Sequence, residues 1–153
     1  MLETPHVILG ATIATKIPNP LISIPLAFGS HFLLDKVPHW NPHLNTEIKT
    51  YGGVTKLTRN IVILDVTAAL LSGLFIASQA SVDSMHAVTI LVASFAAVSP
   101  DVVEGPYFFL KVRTKAIEKW IKFQKSIQAD APFAFGMATQ LATVLACLIW
   151  IFA

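Results

Sequence analysis

His31 and Asp35 stand four residues apart in a stretch that reads as helix, which puts both side chains on one face with Cβ atoms about 5–6 Å apart. That spacing suits two ligands of one metal ion, and it equally suits an ion pair along a helix. His39 follows four residues later, beyond Pro38 and beside Trp40. It reads as a further ligand or as a boundary residue next to an interfacial aromatic anchor. His6, Asp65 and Asp101 complete a set of ligand types without thiolates. Neutral imidazoles and carboxylates are the donor set of a catalytic zinc, or of manganese or iron, with one position open to water. Such an ion brings the pKa of bound water towards about 7 and polarises a carbonyl or phosphoryl oxygen, so hydrolysis is the matching chemistry. The candidate metal ligands are therefore His6, His31, Asp35, His39, Asp65 and Asp101. Glu104, just ahead of Gly105 and Pro106, is the candidate catalytic general base or an additional ligand. Asp65 also fits a hydrogen bond to a neighbouring helix, Asp101 a turn after Pro100, and His43 a loop.

These groups lie in apolar surroundings. Of 153 residues, 54% are hydrophobic and 13% charged, where a soluble domain carries about 25% charged residues. A mean hydropathy of +0.65 indicates a small integral membrane protein, with residues 1–153 forming one domain. The lone Cys147 excludes an intramolecular disulfide and a cysteine-based metal site. The first residues carry Glu3 and no basic cluster, so a cleaved signal peptide is not expected.

Apolar stretches at 17–34, 61–80, 85–100 and 131–153 read as about four transmembrane helices. Thr4 and Pro5 resemble an N-cap and first helical position of a short N-terminal helix over 6–15, too short to span. Pro18, Pro20 and Pro25 make the start of the second stretch a turn or a kinked helix. Ten of the eleven basic residues fall in the segments 35–60 and 101–130. Two spans separate those segments, so both lie on one side, the cytoplasmic one by the excess of lysine and arginine. The turn at 81–84 holds only Asp83. This topology brings His6, His31, Asp35, His39, Asp65 and Asp101 to one membrane face and sends His86 to the other.

Over 107–128, Val112, Ala116, Ile117, Trp120, Ile121 and Ile127 recur at helical spacing opposite Lys111, Lys115, Lys119 and Lys122. The pattern is a basic amphipathic helix, suited to an anionic leaflet or to packing on the bundle with its lysines in water. A net charge of +2 gives no reason to expect nucleic acid as a partner.

Thr4, Pro5, His6 and Gly10, then Gly29, His31, Asp35, Pro38, His39 and Trp40, and finally Ser99, Pro100 and Asp101 resemble the prokaryotic families of membrane-bound metal-dependent hydrolases. His6 and Gly10 match the His-x-x-x-Gly near the start of those families, and Asp35 and His39 their acidic-histidine cluster. The His31 and Asp35 spacing is also similar to helix-borne ligands of zinc-dependent phospholipase C-like enzymes. The resemblance implies a divalent metal, zinc first, and a location in the prokaryotic inner membrane with the polar site facing the cytoplasm. The expectation is an all-α polytopic bundle hydrolysing a lipid or phosphoester among membrane lipids. The alternative is a non-enzymatic scaffold or small transporter whose His and Asp cluster is a hydrogen-bonded lock or an ion path.

Overall fold

The computed structural model describes residues 1–80 and 84–153. Regular structure among them is helical: α1 (Glu3–Lys16), α2 (Pro20–Leu34), α3 (Leu44–Tyr51), α4 (Lys56–Gln79), α5 (Ser84–Val102), α6 (Gly105–Phe109), α7 (Lys115–Ile127) and α8 (Phe133–Phe152). The all-α bundle expected from the sequence is the architecture that forms. Residues 81–83 of the expected turn, Asp83 included, lie outside the described residues.

Three helices, α4, α5 and α8, are long and apolar enough to cross a membrane, against the four expected. The difference is α2, which begins only at Pro20, where the Asn19 side chain accepts from the Leu21 N–H at 3.0 Å. Its 15 residues rise about 22 Å, short of a hydrocarbon core of about 30 Å. On α4, Leu64, Leu70, Leu71, Leu74 and Phe75 are each more than half exposed. A continuous apolar surface of that kind suits lipid better than water.

The short α1 stands in the middle and packs against α2, α4, α5 and α8. Small residues make this possible: Ala11, Ala14, Ala27, Ala93 and Ala97 are fully buried in the seams between helices. A Cβ on Gly10 would lie 2.8 Å from the Ala93 carbonyl oxygen and 2.8 Å from the Ala97 Cβ, so α1 and α5 meet backbone to backbone. The start of α1 differs from expectation. Thr4 lies inside the helix, Leu2 offers no capping side chain, and the cap comes from α4. Asp65 accepts from the Glu3 N–H at 2.6 Å, the Thr4 N–H at 3.2 Å and the Thr4 hydroxyl at 2.7 Å.

The amphipathic segment is two helices rather than one. The break over 110–114 contains Lys111 at φ 57° and ends at Thr114, whose hydroxyl accepts from the Ile117 N–H at 3.3 Å to start α7. Ile121 and Gln124 of α7 are buried, while Lys115, Lys119 and Lys122 face outward. The polar segment ahead of α4 also folds, as α3, which stops at Gly52 in the left-handed conformation with φ 73°.

Candidate metal centre

His31 occupies the last turn of α2 and Asp35 caps that helix, so one turn of backbone sets both on the same side. Asp35 and Lys36 form a turn, and the chain beyond it is held by the segment following α7. The Ala129 N–H donates to the Asp35 carbonyl at 3.0 Å, His39 N–H to Ala129 at 3.0 Å, and Ala131 N–H to His39 at 2.9 Å. His6 comes from the first turns of α1, brought close by the Gly10 contact one turn further along. Asp101 stands near the end of α5, after Pro100. Pro100 has no N–H to give the Ala96 carbonyl, and the Ser99 hydroxyl donates to that carbonyl instead at 2.9 Å.

His6, His31 and Asp101 each present a ligand atom, all within 4.8 Å of one another. His6 and His31 are 1% and 0% exposed, and their rings stack with centroids 4.2 Å apart. His31 Nδ1 donates to the Ala97 carbonyl at 2.8 Å, which leaves Nε2 pointing into the centre. That Nε2 is buried without a hydrogen-bond partner, yet it lies 3.6 Å from Asp101 Oδ1 and 3.6 Å from Asp35 Oδ2. A ring nitrogen facing two carboxylates calls for a positive charge there, a proton on Nε2 or a metal ion between the groups. Ligands at about 2.0–2.1 Å from a tetrahedral ion stand about 3.4 Å apart, which is close to the spacing seen.

Asp35 links the rest. Its Oδ1 accepts from the Met1 ammonium at 2.5 Å and lies 3.3 Å from His6 Nε2 and 3.9 Å from His39 Nε2. Burial alone would raise the Asp35 carboxyl, but the His6 imidazole and the ammonium outweigh it and hold the group below the usual carboxylate range. Both nitrogens of His6 are buried without an aligned hydrogen bond. His39, fully buried, is committed differently. Its Nδ1 donates to the Val37 carbonyl at 2.8 Å, and its Nε2 accepts from Asn41 at 3.3 Å. Burial and the nearby ammonium lower its pKa, so it stays neutral.

The sequence candidates thus separate by task. His6, His31 and Asp101 form the group that could hold an ion. Asp35 adjoins it with Oδ2 turned to His31, His39 sits one contact further out, and Asp65 caps α1. His86 is distant as expected, its Nε2 donating to the Ala14 carbonyl at 3.1 Å near the far end of α1. A cavity of about 180 Å³ opens beside Asp101, with Glu3, Asn41, His43, Glu104, Phe108 and Lys125 in its wall. Burial, with the Asp101 carboxylate adding to it, pushes the Glu104 carboxyl up to about 8. Its Oε1 is buried and unpartnered. At neutral pH this group holds a proton, so it is a donor rather than the expected base until a cation lies nearby.

Gln124 was not anticipated. It is 2% exposed and donates through Nε2 to Asp101 Oδ1 at 2.9 Å. Its signal in the sequence is a lone amide on the apolar stripe of α7, three residues after Ile121 and four after Trp120.

Compared with protein-family models, curated proteins and solved structures, the chain shows no match, so the site's own geometry carries the functional reading.

Proposed function

We propose that this chain is a membrane-embedded hydrolase dependent on a divalent cation, zinc first, held by His6, His31 and Asp101, with Asp35 alongside. The observation that carries the reading is His31: its Nδ1 proton is donated to Ala97, and its buried Nε2, without a hydrogen-bond partner, faces both Asp101 and Asp35. A backbone carbonyl that fixes the tautomer in this way is the usual support of a metal-bound histidine. The resemblance of the His6 and Gly10, Asp35 and His39, and Pro100 and Asp101 segments to membrane-bound metal-dependent hydrolases points the same way.

When bound, the cation would polarise a substrate oxygen and acidify a water. The chain's own residues do the rest. Gln124 orients Asp101, the Ala97 carbonyl orients His31, and Glu104 holds a proton at the wall of the adjoining cavity. The cavity lies at the same end of the bundle as the basic segments, the end read as cytoplasmic. A pocket there, beside the exposed Phe109 and Leu110, favours an amphiphilic substrate such as a lipid or phosphoester. In a prokaryote the corresponding location is the inner membrane. The scaffold reading draws on Asp65, whose carboxylate is fully engaged in capping α1.

Elemental analysis of the detergent-purified protein tests this, alongside His31→Ala and Asp101→Asn variants. One zinc per chain, lost in both variants while helical content is kept, is the expected result. Well-folded wild type that takes up no divalent metal after incubation with zinc, manganese or iron would refute the centre. A chelator-sensitive hydrolysis of phospholipid or phosphodiester substrates, restored by added metal, separates enzyme from scaffold.

A further inference from the structure

The two faces of α7 have different partners. Inward, Trp120 Nε1 donates to the Pro100 carbonyl at 2.9 Å, and one turn later Gln124 Nε2 donates to Asp101 Oδ1 at 2.9 Å. The segment after the helix holds Asp35 and His39 through their backbone. Outward, Lys115, Lys119 and Lys122 are exposed and have no ionic partner among the described residues. Lys111 and Arg113 precede them, and Glu118 is the sole acid of the helix. Leu110, 72% exposed, and Phe123, 47% exposed, sit among these cations.

The protein holds only the inward side of this helix, through Pro100, Asp101 and the Phe32 ring. The helix buries only Ile121 and Gln124, and a 13-residue helix is marginal by itself in water. It also lies in the stretch joining the ends of α5 and α8, both long enough to span, which keeps it near the level of lipid headgroups. Cations interleaved with bulky apolar side chains fit an anionic interface, where basic residues meet phosphates and the apolar ones enter the acyl boundary.

Resting on the cation centre described above, we propose that α7 is a clamp closed by the bilayer itself. Its lysine face engages anionic phospholipid headgroups, and this seating presses Gln124 onto Asp101, so that the centre holds its ion more tightly on an anionic leaflet. Zinc affinity is measured by competition with a chromogenic chelator, on protein in nanodiscs of phosphatidylcholine alone or mixed with phosphatidylglycerol. Wild type is expected to bind zinc about tenfold more tightly in the anionic discs, the scale set by one hydrogen bond that orients a metal ligand. A Lys115→Gln, Lys119→Gln, Lys122→Gln variant keeps the weaker affinity in both discs. Gln124→Ala binds about 10–100-fold more weakly than wild type in anionic discs and loses the lipid dependence.

Equal wild-type affinity in both discs overturns the clamp and leaves the cation centre standing. Absence of zinc in either disc removes both. Zinc gathered by the anionic surface itself would strengthen wild type and the lysine variant alike, and that parallel rise would also overturn the clamp. Tight affinity restored in neutral discs by nucleic acid or by an acidic protein would assign the lysine face to that partner instead of lipid.

Discussion

Gly10→Ala tests how the centre is built, because two effects of opposite sign meet at one methyl group. Replacing glycine by alanine inside a helix is worth about 1 kcal/mol in favour of the helix. Against this, the new Cβ would lie 2.8 Å from the Ala93 carbonyl oxygen and 2.8 Å from the Ala97 Cβ. Neither is the free end of a flexible side chain. Restoring an ordinary contact of 3.4 Å requires α1 and α5 to separate by about 0.6 Å (3.4 less 2.8). Overpacking of that kind costs about 1–3 kcal/mol, so the net loss of stability is about 0–2 kcal/mol once propensity is set against it. Function should suffer more than stability. His6 lies one turn before Gly10 on α1, His31 is anchored on Ala97 of α5, and a metal site tolerates about 0.5 Å of misplacement. Zinc affinity is expected to fall by about tenfold or more. Gly29 supplies the control, since a Cβ there meets nothing within 4 Å and Gly29→Ala should stabilise the protein without touching the centre. Thermal unfolding in detergent with chelator present, together with zinc competition, reads both quantities. Gly10→Ala as stable as Gly29→Ala, or with undiminished zinc affinity, would refute the account.

Asp65→Ala should lower stability by about 1–2 kcal/mol through the lost cap of α1, yet leave zinc stoichiometry intact at saturating metal, as elemental analysis would show. Gly136→Ala should unfold the protein at lower temperature, because its Cβ would run into the Trp40 backbone nitrogen. Glu104 gives a pH test on metal-free protein. Native Glu104 keeps its proton to about 8, whereas the unfolded chain releases it near 4.5, so between those values the native state binds more protons and stability falls as pH rises. Glu104→Gln removes that loss. Its melting temperature should match wild type near the lower value, exceed it above the upper one, and the excess should shrink with zinc bound.

Much of this arrangement is legible in residue types and depth alone. Alternating basic segments order the helix ends correctly, so His6, His31, Asp35 and Asp101 are expected together from topology. Finer roles depend on contacts distant in sequence. Asp65 caps a helix that begins 62 residues earlier, and no local pattern announces a cap supplied from elsewhere. His39 faces Asn41 through its own backbone turn, which spacing to Asp35 does not reveal. The break at Lys111 interrupts a periodicity that the apolar residues alone continue without a gap. Gln124 looks like one polar residue in a mixed helix because its partner, Asp101, lies 23 positions away.

The central position of α1 has a consequence for how the protein comes into being. Fourteen residues rise about 21 Å, too little to be handed to a bilayer as a separate span. Although α1 is synthesised before its neighbours, its seat is made by α2, α4, α5 and α8, all of which follow it along the chain. His6 therefore reaches His31 and Asp101 in their final places only once those helices have been made. The centre completes late, and an ion held there reports that the bundle around it has assembled.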